Sequence, residues 1–103
     1  MAREIVWTQH ALSDLEQAAA YLEQRNPEAA RRLVQTLWEA ADGLVELPFK
    51  GHRLNELRSM PFLELVRGHY RMVYQVHETQ VEILAVFHTR QPFEILRERL
   101  TED

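Results

Sequence analysis

The chain has no cysteine among its 103 residues. That excludes a disulfide framework and any thiolate metal site, and it is compatible with a reducing compartment. Glycine and proline are scarce, with 3 and 4 copies, and no Gly-rich run of the kind that cradles a nucleotide phosphate is present. Gly51 and Gly68 are read as turn residues instead. No segment approaches the roughly 20 consecutive apolar residues that cross a bilayer, and the apolar run after Met1 is too short for a secretory leader. Secretion and membrane insertion are therefore not expected, and a cytoplasmic location is. No His, Asp and Glu spacing matches a metal site, so no metal or other cofactor is expected. No Ser-His-Asp arrangement is supported by spacing. Internal repeats, low-complexity tracts and interdomain linkers are also missing, and residues 1–103 read as one domain.

The residues that are present make an ordinary folding composition, with 46% hydrophobic and 27% charged residues. The net charge of −4 argues against a general nucleic-acid binder. Its distribution is uneven. Residues 1–48 hold Arg3, Arg25, Arg31 and Arg32 against eight acids, whereas residues 49–93 hold Lys50, Arg53, Arg58, Arg67, Arg71 and Arg90 against four. Four of the five histidines, His52, His69, His77 and His88, lie in that basic middle. It is either a site for an anionic surface or a scatter of solvated charges.

Periodicity gives the elements. Glu4 to Thr8 reads as a short strand. Ala11, Leu12, Leu15, Ala18, Ala19 and Leu22 then recur at helical spacing. Asn26-Pro27-Glu28 marks a second helix start, with an N-cap side chain, a proline where no N–H is needed and an acid near the positive end of the helix dipole. That helix is expected to run to about Leu47 on a stripe of Ala30, Leu33, Val34, Leu37, Trp38, Ala41, Leu44 and Val45. The short gap folds the two helices into an antiparallel hairpin. Three strands are expected next: Glu56–Arg58 or Phe62–Arg67, then Tyr70–His77, then Gln80–His88. A short helix opens at Gln91-Pro92. The order β-α-α-β-β-β-α is an α+β architecture, with a three-stranded antiparallel sheet carrying its helices against one face.

The run Tyr70-Arg71-Met72-Val73-Tyr74-Gln75-Val76 places a long cation in the middle of a strand, where it needs a partner or a surface to face. With Glu78 and Thr79 as the turn, residue 71 pairs with 86 and 69 with 88. Arg71, His69, His88, Gln75 and Glu82 then share one face. Arg71 is either paired with Glu82 or Glu64, or part of an exposed cationic patch. His52 and His88 are candidates for an acid–base pair, because free imidazole titrates near neutrality.

Trp7, Ala11, Asp14-Leu15, Tyr21-Leu22, Pro27, Ala29-Ala30, Leu47-Pro48, Gly51, the Tyr70–Tyr74 strand and Val81 to Arg90 form an ordered set over most of the chain. In that set the sequence resembles the ParE/RelE superfamily, the toxin halves of bacterial type II toxin–antitoxin pairs. The resemblance implies the α+β layout just described and a growth-inhibiting protein neutralised by a cognate antitoxin in a hetero-oligomer. The ParE-like branch implies an inhibitor of DNA gyrase without a catalytic site. The RelE-like branch implies a ribosome-dependent mRNA endoribonuclease, in which Arg71, His88 and Arg90 stand where catalytic groups are expected. A third expectation is an inactive antitoxin-binding module. The final helix has Ile95 and Leu96 where the nuclease branch has a tyrosine, and only Lys50 with Arg53 could replace its paired lysines; the ParE-like branch is therefore favoured. Leu33, Leu37, Trp38 and Leu44 are the expected antitoxin contacts.

Overall fold

A computed structural model describes residues 2–101. In chain order the elements are β1 (Glu4–Trp7), α1 (Gln9–Glu23), α2 (Pro27–Asp42), β2 (His52–Arg53), β3 (Leu63–Arg67), β4 (Tyr70–Val76), β5 (Gln80–His88) and α3 (Phe93–Thr101). Single 3-10 turns span Gly43–Val45 and Asn55–Leu57. The α+β class is as expected, but the sheet has five strands in the order β1-β5-β4-β3-β2. β1 adds to β5 in parallel, and the two-residue β2 pairs with β3. The segment around Glu56 is the second 3-10 turn and not a strand, so the Phe62–Arg67 alternative holds.

Local chemistry sets the helix ends. The Thr8 hydroxyl accepts from the Ala11 N–H at 3.1 Å, and Asn26 Oδ1 accepts from the Ala29 N–H at 3.2 Å. α2 ends at Asp42, short of the expected Leu47, because the chain tightens at once into the Gly43–Val45 turn. Gly68, at φ 60°, makes the β3–β4 turn. Gly51 is required by close approach instead. Its N–H donates to the Tyr74 hydroxyl at 2.9 Å, and a Cβ there would meet the Glu64 carbonyl oxygen at 2.5 Å.

The sheet is covered on both faces. α1, α2 and the turn that follows bury Ala11, Leu15, Leu33, Leu37, Ala41 and Leu44 against Met72, Tyr74, Val81, Ile83 and Val86. On the opposite face α3 and the 54–62 segment bury Leu54, Leu57, Phe62 and Leu96 against Val73, Ala85 and Phe87. The expectation of helices on one face is therefore corrected. β4 and β5 carry apolar side chains on both sides of the pleat, which requires a second cover.

A bulge sets which side chains share a face. Gln75 pairs with Glu82 and Tyr74 with Ile83, in the expected register. Leu84 is then an extra residue, and Val73 pairs with Ala85, Arg71 with Phe87 and Tyr70 with His88. Asp14 and Arg99 complete the backbone here. Asp14 Oδ2 accepts from the Val86 N–H at 3.0 Å, and Arg99 Nη2 donates to the Leu84 carbonyl at 3.2 Å. The two side chains also form a forked ion pair at 3.0 and 2.6 Å, which ties α3 to α1.

Candidate functional site

Arg71 lies at the centre of the α3 side of the sheet. Its Nε donates to Glu64 Oε1 from the neighbouring strand, while Nη1 and Nη2 donate to the two oxygens of Glu56 at 3.0 and 2.8 Å. Only 13% of the Arg71 side chain is exposed. The guanidinium lies 4.7 Å from the Phe87 ring centroid and 5.6 Å from that of Phe93, a cation–π setting that suits a delocalised planar ion. Its pKa is raised further above the ordinary arginine range, first by hydrogen bonding to Glu56 and then by Glu64, against the opposing effect of burial. Hydrogen bonding to Arg71 holds the Glu56 carboxyl below its ordinary value. Of the two alternatives for Arg71, ion pairing holds and the exposed cationic patch does not form: Glu64, one of the two partners named, accepts from it, and Glu56 joins from the Asn55–Leu57 turn.

The bulge also separates the expected site residues. Arg71 shares its face with Phe87. His88 faces the other way, with its ring edge-on to Tyr70 at 5.2 Å and stacked on His69 at 5.7 Å. The Arg90 N–H donates to His88 Nδ1 at 3.0 Å, which in the neutral ring places the proton on Nε2. Among the described residues no hydrogen bond or ion pair engages the Arg90 guanidinium, and the residue is exposed just beyond β5. Arg71 and His88 therefore do not converge. His52 is on the Arg71 side, with Nδ1 3.8 Å from Glu64 Oε2, so the expected His52–His88 pair is not formed across the sheet. Arg53 Nη1 donates to the Arg58 and Met60 carbonyls at 3.1 Å and staples its own loop.

The expected antitoxin contacts also divide. Leu33, Leu37 and Leu44 are buried beneath the helical hairpin, at 8%, 0% and 0% exposure, and offer nothing to a partner. Trp38 is 43% exposed and stacks on Trp7 at 4.8 Å. With Ala19, Ala30 and Val34 it lines an open groove of about 700 Å³ between α1 and α2, rimmed by Glu23, Arg31 and Glu39. Among the described residues no cluster of three or more His, Asp or Glu could hold a metal ion, and no helix is long and apolar enough to cross a membrane. Sequence reasoning missed the roles of Glu56 and Arg99. Glu56 sits two residues before a basic position in a segment read ambiguously as strand, and nothing local marks Arg99 as the partner of Asp14.

Solved structures share this architecture. The toxin–antitoxin complex RelBE2 of Mycobacterium tuberculosis contains a chain that superposes with a TM-score of 0.60 at 25% identity, covering 85% of this chain and 92% of that one. A chain of the chromosomal ParDE system of P. aeruginosa gives a TM-score of 0.69 at 21% identity, covering 84% and 96%, a likeness of fold. In sequence, Y4kP of Sinorhizobium fredii, a candidate toxin, is 37% identical over 86% of this chain and 91% of its own length. Toxin RelE2 of Caulobacter vibrioides is 35% identical over 82% and 93%. The fold is thus that of the small toxins of bacterial type II toxin–antitoxin systems. The model of the ParE toxin family of the parDE type matches residues 5–93, and this chain belongs to that family.

Proposed function

We propose that the toxin acts by binding, that its target is DNA gyrase, and that a cognate antitoxin neutralises it in a cytoplasmic hetero-oligomer. The neutralised Arg71 carries this reading. Cleavage of an RNA phosphodiester needs a cation at the scissile phosphate and an acid and a base within reach of it. Here the candidate cation is already held by two carboxylates, and His88 lies across the sheet. A phosphate would have to displace a carboxylate to reach the guanidinium's donors. Purified toxin is expected to stabilise cleaved gyrase–DNA complexes and to inhibit supercoiling at micromolar concentration; no effect on either would count against gyrase as the target. The kinship with a protein named RelE2, together with His52 beside the Arg71 cluster, supports a second reading as an mRNA endoribonuclease. Primer extension on messages from expressing cells separates the two, since discrete cuts within translated codons belong only to the nuclease.

The antitoxin is proposed to lay an amphipathic helix into the groove between α1 and α2. An apolar floor with a charged rim is the surface such a helix recognises, and Trp38 supplies an aromatic anchor on it.

A further inference from the structure

The two edges of the sheet are not alike. β2 closes one side with two exposed polar residues, His52 and Arg53, the short charged form that discourages further pairing. β1 closes the other side, and no strand lies beyond it among the described residues. The Glu4 N–H donates to the Thr79 carbonyl and the Thr8 N–H to that of Ile83, both at 3.1 Å, in register with β5. Backbone groups alternate in direction along a parallel strand, so those of Ile5 and Trp7 point away from β5, at the open edge. Neither proline nor charge guards those two positions. Apolar side chains flank the edge at both ends. Near its start, the Arg3 guanidinium lies 5.7 Å from the ring centroid of Phe49, which is 67% exposed beside Leu47 at 61%. Near its finish, Trp7 stacks on the half-exposed Trp38. Val6, between them, is 37% exposed.

We propose that the free toxin pairs with a second copy of itself through β1. An antiparallel match about a two-fold axis at Val6 sets Ile5 of one copy opposite Trp7 of the other, and the outward backbone groups of both then bond reciprocally. The same axis brings the start of each strand beside the finish of its neighbour. Phe49 and Leu47 of one copy therefore meet the Trp7–Trp38 stack of the other, and the contact is made twice. A lone strand from an unrelated chain would bond to the edge and leave both apolar ends uncovered, whereas a second copy carries the matching group at each end. Leu47, Phe49, Trp38 and Val6 offer roughly 400 Å² per copy. With the strand backbone, two copies approach the about 1,200 Å² at which specific interfaces begin. An interface of that size associates weakly, in the micromolar range. The pairing does not depend on what the toxin targets.

Sedimentation of the purified toxin without antitoxin tests this. Its average mass should rise from monomer to dimer between micromolar and millimolar concentration. Val6→Lys sets two like charges face to face on the axis and removes an apolar contact, and it should weaken association about tenfold. Phe49→Ala should weaken it several-fold. Ile95→Lys, on the exposed side of α3, should leave it unchanged. Hydrogen exchange at the Ile5 and Trp7 amides should slow as concentration rises. A monomer throughout that range, or a dimer that Val6→Lys leaves intact, overturns the proposal. If Val6→Lys alters the fold, Phe49→Ala decides, and undiminished association there overturns it as well. Ile5 and Trp7 amides protected by added antitoxin and never by concentration would assign the edge to the antitoxin and overturn self-pairing.

Discussion

At the scale of single residues, the Arg71 cluster makes a prediction about stability. Glu64 is buried and depends on Arg71 for its counter-charge. Removing one member of a buried pair leaves the other charge uncompensated, at a cost of about 3–5 kcal/mol. Arg71→Met is therefore expected to lower unfolding free energy by roughly that amount at neutral pH, and adding Glu64→Gln should restore part of it. The acid limb should change as well. Because hydrogen bonding to Arg71 lowers the Glu56 pKa from 4.5, the unfolded chain binds more protons there than the folded one. Stability from this contact is complete above the ordinary value and is lost as pH falls through the lowered one. Urea titrations between neutral pH and the acid limb check both points. An Arg71→Met protein with the same acid dependence as the parent would show that Glu56 does not draw its stabilisation from this guanidinium.

At the scale of elements, the Asp14–Arg99 pair does for the β5 bulge what a neighbouring strand cannot. It supplies an acceptor for the Val86 N–H and a donor for the Leu84 carbonyl while holding α3 to α1. Asp14→Ala is expected to cost on the order of 2–3 kcal/mol, in the range of charge-assisted hydrogen bonds, and Asp14→Asn less, since its amide oxygen still suits Val86. The loss should be local. Amide exchange should accelerate at Val86 and through Phe93–Thr101, with the α1–α2 hairpin little affected. Unchanged protection of α3 in Asp14→Ala would refute a stapling role.

This bulge is also where reading from sequence stopped. The helix start at Asn26-Pro27, the turn at Glu78-Thr79 and the helix after Pro92 were legible, because each depends on neighbours a few residues away. Val81, Ile83, Ala85 and Phe87 alternate so evenly that one unbroken strand face fits them, yet the first two lie under the helical hairpin and the last two under α3. The unbroken apolar run Leu84-Ala85-Val86-Phe87 was the available signal, since a strand apolar on both sides is covered on both. Parallel addition of β1 depends on a partner some 75 residues away, and nothing local encodes it. On α2 the wide stripe merged two roles. Leu33 and Leu37 are core, as is Leu44 in the turn beyond the helix, while Val34 and Trp38 lie on its exposed shoulder.

At the scale of the whole molecule, the two layers over the sheet separate two proposed tasks. The α1–α2 groove with Trp38 lies on one side, and the Arg71 cluster under α3 lies on the other. An antitoxin seated in the groove therefore leaves the opposite face to be blocked by the remainder of its chain or by the bulk of the complex. Trp38→Ala separates these tasks experimentally. In the free toxin it removes a stacking contact with Trp7 worth about 0.5–1.5 kcal/mol, and the fold should survive. Against the antitoxin it removes the proposed aromatic anchor, and a loss of about 2 kcal/mol, or roughly 30-fold in Kd, is expected. Calorimetric titration with the cognate antitoxin measures that loss. Co-expression supplies the second readout: Trp38→Ala toxin should still arrest growth, but need more antitoxin for rescue. Undiminished antitoxin affinity would place the antitoxin elsewhere on the molecule. Loss of toxicity in a stably folded Trp38→Ala protein would show that the target and the antitoxin compete for this same groove.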